Sequence, residues 1–332
     1  MWYLGLDVHR SSITLAGISS EGKTLASRSY SCENPSALWT VVQRHRPYHA
    51  VVEACGSYHW IYALLRQGGE VTLAHPYKLR ALWTARAKTD ILDAIRLAQL
   101  LRAGLIPAAY VPPPAYQRLR DLVRARVRMV RERAAAYHHL HSILARFNWH
   151  SPYAQPFCKR GIDWLGRLDM PSPFDLLRRE LFERLKHYDQ AIQEVEAHLE
   201  GVAADYPQIE ALTALYGIGT FSALLIVAEL GEVERFHREE EVAAYAGLTP
   251  CVRQSGSQEH HGAISKSGSP WLRWILVEAA MKVVRKDPAL HAFHQRVRRR
   301  SGWRRARVAV ARKLAVICWK RLRAWERQRP AA

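Results

Sequence analysis

Four acidic side chains in the first third of the chain have the types and spacing of a two-metal phosphoryl-transfer site. Asp7 stands in YLGLDVH, Glu53 in AVVEACGSY, and Asp90 and Asp93 in AKTDILDAIRL. The first two fall at or near the ends of predicted strands, where acids are unusual. The last two are three residues apart at the start of a predicted helix and so share one face. Carboxylates arranged this way can hold Mg²⁺ against a scissile phosphate. Without cations, four acids so close would repel one another and raise their pKa values. Each also has an ordinary structural role open to it. Asp7 could end a strand and begin a turn, Glu53 could be a strand-edge acid, and Asp90 with Asp93 could be an N-cap and its partner three residues on. What favours the metal reading is that all four fall in the right elements of one fold.

A second set of reactive groups lies in RQSGSQEHHGAISKSGS, residues 253–269. It holds Ser255, Ser257, Ser265, Ser267 and Ser269, with Arg253 and Lys266 nearby. A serine hydroxyl is a weak nucleophile and needs a base, a metal or cationic stabilisation of the phosphate it attacks. No Ser-His-Asp triad follows from the spacing, and His260 and His261 read as solvated loop histidines. Composition alone predicts a flexible surface loop.

The elements that must position these groups alternate clearly over the first hundred residues. MWYLGLDV, SITLAGIS and KTLASRSYS read as three strands, with a turn at 21–23. Asn34-Pro35 starts a helix, with Asn34 as N-cap and Pro35 at the first helical position. HAVVEAC and EVTLAHP are further strands, and SYHWIYALLRQ is a helix ended by Gly68-Gly69. The order β-β-β-α-β-α-β followed by helices predicts a mixed sheet covered by helices. It is the element order of the ribonuclease H-like fold, in which the first and fourth strands are parallel neighbours. Asp7 and Glu53 would then lie side by side at their ends.

Beyond this region, 90–103 reads as an amphipathic helix stopped by Gly104, and the prolines at 112–114 break the chain. A long helix runs from about Tyr116 to Phe147, with Arg118, Arg120, Arg124, Arg126, Arg128, Arg131 and Arg133 on its polar face. Residues 149–173 read as a linker. A helix from about 173 to 202 carries Leu177, Leu181, Leu185, Ile192, Val195 and Leu199, the spacing of a helical arm or coiled coil, or of one helix packed on its own domain. ALTALYGIGTFSALLIVAELG looks like helix, Gly-Ile-Gly turn, helix. Gly217 and Gly219 either place turn amides against a DNA phosphate or close an ordinary hairpin. The tail from Arg296 to Arg329 is basic but keeps apolar spacing, so it reads as a helix with a nucleic-acid-facing side that includes Arg304 and Arg305.

The totals agree with a polyanionic partner. Among 332 residues, Lys plus Arg is 49 and Asp plus Glu is 30, a net charge of +19. That excess points to DNA or RNA, with anionic membrane as the rival. No apolar run reaches the roughly 18 residues that span a bilayer. Five scattered cysteines with no CxxC pair indicate reduced thiols in a cytosol rather than a zinc site or a disulfide framework.

Taken together, GLDVH, VVEACGSY, KTDILDA, LYGIGTFSALLIVAELG, FHREEEVAAYAGLTP and RQSGSQEHHGAISKSGSPWLR resemble one family over nearly the whole chain. It is the insertion-sequence transposase group with a RuvC-like DEDD domain and a C-terminal serine domain, which includes bridge-RNA-guided recombinases and Piv-type DNA invertases. The resemblance implies an α/β ribonuclease H-like (RuvC-like) domain over 1–148, a linker and helical arm over 149–205, and a mainly α-helical serine domain with a helix-hairpin-helix over 206–332. Asp7, Glu53, Asp90 and Asp93 would bind Mg²⁺, and Ser255 would be the nucleophile that joins DNA covalently. The site would be composite, acids from one domain and serine from the other. The nucleic-acid contacts would come from Arg118, Arg120, Arg124, Arg126, Arg128, Arg131, Gly217, Gly219, Arg253, Lys266, Arg304 and Arg305. The partners implied are duplex DNA, a structured guide RNA and further copies of the chain in a homo-dimer or homo-tetramer. The setting implied is the cytoplasm and nucleoid of a bacterium or archaeon. Family members often have Arg-Gly where this chain has His261-Gly262, and EATG where it has EACG; neither change touches the proposed chemical groups.

Two other readings fit parts of the pattern. A hydrolytic metal nuclease, such as a junction resolvase, would use the acids without the serine, although DEDD exonucleases usually carry Asp-x-Glu where this chain has Asp7-Val8-His9. A non-catalytic DNA- or RNA-binding regulator would need neither all four acids nor Ser255.

Overall fold

The structure is a computed structural model that describes residues 1–82, 89–255 and 258–328, and for strand residues between 252 and 261 the backbone alone. The chain divides into two compact units, Met1–Val111 and Pro112–Ala332.

The first unit holds β1 (Trp2–Val8), β2 (Ser12–Ser19), β3 (Thr24–Ser31), α1 (Ser36–Arg44), β4 (Tyr48–Glu53), α2 (Tyr58–Arg66), β5 (Glu70–Ala74), α3 (Pro76–Ala81) and α4 (Asp90–Arg102). The sheet order is β3-β2-β1-β4-β5. β1 is antiparallel to β2 and parallel to β4, as the sequence pattern predicts. Strand alternation explains the layering. Leu4, Leu6 and Val8 of β1, with Ala50 and Val52 of β4, pack with Leu38, Val42, Ile61 and Leu65 of α1 and α2. On the opposite face Val51 packs with Leu97 and Leu101 of α4, and Tyr3 lies against them.

The predicted cap of α1 falls elsewhere, and so does the cap that Asp90 could have been. Asn34 Oδ1 accepts from the Ser36 amide at 3.3 Å, but α1 begins at Ser36, after Pro35. α4 is capped by Thr89, whose Oγ1 accepts from the Leu92 amide, so Asp90 and Asp93 are inside the helix and neither is its N-cap.

The second unit holds α5 (Pro114–Arg146), α6 (Lys159–Arg167), α7 (Phe174–Val202), α8 (Glu210–Thr213), α9 (Thr220–Leu230), α10 (Glu239–Tyr245), β6 (Pro250–Ser255), β7 (Gln258–Ile264), α11 (Pro270–Val283) and α12 (Pro288–Gln328). By its packing the α5 helix falls in this unit. Helices α5 and α7 form an antiparallel pair tied by Arg126–Glu196 and Arg133–Asp189. The 149–173 stretch contains α6, and its Leu165 packs with Leu140 and Leu144 of α5 and Leu181 and Leu185 of α7. The apolar seam of α7 is therefore spent within the chain. Around α9, which is buried from Ala223 to Leu230, α5, α11 and α12 contribute to one core.

The 253–269 stretch is not a loop throughout. β6 and β7 form an antiparallel hairpin in which Ser255 pairs with Gln258. Composition misled here because two strands that pair only with each other need no apolar alternation.

Candidate functional site

One close helix contact brings Asp90 to Asp7, and the sheet sets Glu53 on the strand beside Asp7. Leu6 pairs with Val52 across the parallel β1–β4 ladder. Asp7 and Glu53 are the next residues on strands about 4.8 Å apart. Both continue the alternation of Tyr3 and Val51, so they stand on the face that α4 covers. The approach of α4 depends on Gly5, two residues before Asp7. A β-carbon there would stand 2.1 Å from the Ala94 carbonyl oxygen and 2.6 Å from the Ala98 nitrogen. The absence of a side chain lets the helix lie directly on β1 and carries its first turn to the end of the strand.

There, His9 Nε2 lies 3.2 Å from Asp7 Oδ2 and 3.3 Å from Asp90 Oδ1. Asp7, His9 and Asp90 each offer a ligand atom within 4.8 Å of the others. Asp93 is buried at 6% exposure, with Arg96 Nη1 at 3.4 Å from its Oδ1. Burial pushes the Asp7 carboxyl above its ordinary value; His9 opposes this, and the charges of Asp90 and Asp93 add to it. A partly buried carboxylate facing two others is stabilised by a cation, and oxygen donors with one imidazole suit a hard divalent ion. His9 was not singled out from sequence. Its only signal is its position two residues after Asp7, at the turn where β1 ends.

The serine-rich stretch separates by role. Ser269 caps α11, its Oγ accepting from the Leu272 amide at 3.1 Å and donating to Glu229 Oε2 at 2.8 Å. Among the described residues the Ser265 hydroxyl is buried without a partner. Ser255 closes β6 at the last pair of the hairpin. Its side chain and that of Arg253 lie outside the described residues, as does Ser257. Behind the hairpin, Gly268 fits against α10, where a β-carbon would stand 2.3 Å from the Tyr245 carbonyl oxygen.

Comparison with known proteins is consistent along the chain. A profile described as the Transposase IS116/IS110/IS902 family matches residues 209–295, and a DEDD transposase profile of the IS110 type matches residues 4–148. A putative transposase of Sinorhizobium fredii, y4rJ, is 30% identical over 83% of this chain and 77% of its own length. The transposase for insertion sequence element IS1111A of Coxiella burnetii is 26% identical over 99% of this chain and 92% of its own. The pilin gene-inverting protein of Moraxella bovis is 22% identical over 83% and 80%.

The chain belongs to the IS116/IS110/IS902 family of insertion-sequence transposases.

A transposase must hold DNA, and the arginines of its α5 helix divide into two groups. Arg120 is buried and donates to the carbonyls of Ala228 and Glu229 and to the Tyr245 hydroxyl. Arg124 grips Glu229, which is 0% exposed, and Arg126 binds Glu196. These three are engaged in contacts within the fold. Arg118, Arg128 and Arg131 are exposed, and the guanidinium of Arg131 lies 4.6 Å from the Trp271 ring. Lys266, Arg304 and Arg305 are exposed as well. Gly217 has a structural reason of its own. Its φ is +88°, and a β-carbon there would meet Lys282 Cβ at 2.4 Å. Gly219 immediately precedes α9 in extended conformation. The helix before that turn, α8, has only four residues. Among the described residues no helix is long and apolar enough to cross a membrane.

Proposed function

We propose that this transposase cuts and rejoins DNA at its element ends through a covalent serine link, with Mg²⁺ held by Asp7, Glu53, Asp90 and Asp93. The observation that carries the reading is the convergence of Asp7, His9 and Asp90 within 4.8 Å at the end of the central strand, beside Asp93. When bound, Mg²⁺ supplies Lewis-acid polarisation and charge neutralisation at a phosphate. Asp7 and Glu53 would orient the ion-binding oxygens from the rigid sheet, and Asp90 and Asp93 would complete the set from α4. His9, between Asp7 and Asp90, would fix their orientation.

Ser255 is the nucleophile in this reading. Its Oγ forms a bond to phosphorus, the bond from phosphorus to the sugar oxygen breaks, and that oxygen leaves with the electron pair and takes a proton. The serine proton is the one released, so the step is balanced without water. The ester retains the bond energy for rejoining to a new strand. Its place at the end of β6, beside the hairpin tip, supports this role over Ser269, whose hydroxyl is committed to the α11 cap. Arg118, Arg128, Arg131, Arg253, Lys266, Arg304 and Arg305 would take the phosphates of duplex DNA and of a structured guide RNA.

The experiment is a plasmid excision assay with Asp7→Asn, Glu53→Gln, Asp90→Asn and Ser255→Ala. Each should abolish excision while retaining binding to element-end DNA. Full excision by any of the four removes that residue from the reaction.

A further inference from the structure

The last long element, α12, is two helices joined at a kink, and the kink is its least packed part. Gly302 has φ +82° and ψ 168°, a backbone region essentially restricted to glycine, and a β-carbon there would meet nothing within 4 Å. The helix before it is anchored by Leu290 and His294, and the helix after it by Ala306, Val310, Ala311 and Leu314. From Gln295 through Arg305 no side chain is buried. This elbow contributes nothing to the core, yet it carries six exposed arginines: Arg296, Arg298, Arg299, Arg300, Arg304 and Arg305. No acidic residue occurs in the sequence between Asp287 and Glu326. Among the described residues, none of the six has a carboxylate partner. Of the six, only Arg296 has a ring contact among the described residues, with Phe293 at 5.6 Å.

At the centre of this cluster stands Trp303, 46% exposed. The indole is not part of the hydrophobic core of the unit. It is braced from one side. Arg307 donates from Nε to the Val277 carbonyl at 3.0 Å and from Nη2 to Glu278 Oε1 at 2.8 Å. Its pinned guanidinium lies 5.6 Å from the Trp303 ring centroid. A held aromatic ring flanked in sequence by exposed guanidinium groups that have no carboxylate partner among the described residues is the chemistry that binds unpaired nucleotides: phosphates take the cations, and a free base face takes the ring. Paired bases keep their faces within the stack, so a duplex offers this indole only edges and backbone.

We propose that the elbow at Gly302 is a binding site for unpaired nucleotides, with one base stacked on Trp303 and the flanking phosphates on Arg296, Arg298–300, Arg304 and Arg305. The proposal rests on the family's implied handling of DNA and extends it to a strand state and a residue. The unpaired nucleotides could belong to an opened DNA end or to a loop of RNA; both present the same base faces and phosphates.

The test uses the full chain and fluorescence anisotropy with three probes at one low salt concentration: a blunt DNA duplex, the same duplex with a single-stranded DNA tail, and the same duplex with a single-stranded RNA tail. The wild type should bind at least one tailed probe more tightly than the blunt one. Trp303→Ala should weaken tailed binding by about 5- to 150-fold, the range for loss of one stacked base, and leave blunt binding within about 2-fold. Trp303→Phe should restore most of the tail preference, which a purely structural role for the indole would not require. Which tail is preferred identifies the source as DNA or RNA. Equal binding of tailed and blunt probes by the wild type would overturn the proposal. So would a Trp303→Ala variant that keeps the tail preference, or one that loses tailed and blunt binding alike. Failure of every probe to bind would instead overturn the nucleic-acid reading beneath it.

Discussion

Gly5 of β1 and Ala94 of α4 are in such close contact that a single added β-carbon on Gly5 would stand 2.1 Å from the Ala94 carbonyl oxygen. The same helix carries Asp90 and Asp93, and the same strand carries Asp7. Geometry two residues away from the chemistry therefore sets the distance between the acids. Gly5→Val should cost on the order of 1–3 kcal/mol through overpacking and should displace α4 from the strand. Wild-type protein should gain thermal stability on adding Mg²⁺ or Mn²⁺, and Gly5→Val should gain little or none. An unchanged metal-dependent rise in Tm in the variant would show that the helix position does not control the site.

The arginines of α5 should separate in mutagenesis as they do in the structure. Arg124→Ala leaves the fully buried Glu229 carboxylate without its bidentate partner. Removing one member of a buried pair typically costs about 3–5 kcal/mol, so this variant should unfold at markedly lower denaturant. Arg128→Ala, at an exposed position, should stay within about 0.5 kcal/mol of wild type and lose nucleic-acid affinity instead. Chemical denaturation of both, with DNA binding of whichever folds, reads the contrast; equal stability of the two would mean that the Glu229 pair is not holding the core.

Binding to duplex DNA should fall steeply with salt, because each phosphate neutralised releases condensed counterions, with a slope of about −0.9 per contact. Replacing Arg304 and Arg305 by Ala together should reduce the slope of log K against log salt by up to about 2. A slope unchanged by that double substitution would place the tail outside the DNA contact.

The cysteines offer a pH-dependent check on the core. Burial pushes the Cys318 thiol up to about 12, and the residue is 0% exposed. A thiol reacts as its thiolate, so at pH 8 roughly one part in ten thousand of Cys318 is reactive, and raising the pH to 9 leaves it protonated. Cys251 is exposed. A thiol reagent should label Cys251 in the native protein and Cys318 only after unfolding; rapid native labelling of Cys318 would contradict the packing of α12 against α10 and α11.

Much of the first unit was legible because its signals are local. Period-two alternation marks β1 and β4, and the element order fixes their pairing, so Asp7 and Glu53 could be placed side by side. What was not legible depended on partners far away in sequence. Glu196 and Glu229 lie 70 and 105 residues from the arginines they bind, and nothing near Arg124 or Arg126 distinguishes them from the exposed Arg128. The β6–β7 hairpin hid behind its glycines and serines. Gly5 acts through α4, and His9 links Asp7 to Asp90 of α4, whose course over β1 is a tertiary fact. The leucines of α7 showed correctly that the helix has an apolar seam, but spacing cannot say whether a seam is met by the same chain or another; here α5 and α6 meet Leu181 and Leu185.

The most direct measurement is denaturing electrophoresis of the protein incubated with labelled, nicked element-end DNA and Mg²⁺. The account predicts a labelled protein band in the wild type that is absent in Ser255→Ala, absent or strongly reduced in Asp7→Asn, and retained in Ser257→Ala. A band that survives Ser255→Ala, or DNA cleavage by active wild-type protein with no covalent band at all, would contradict the serine-linked mechanism.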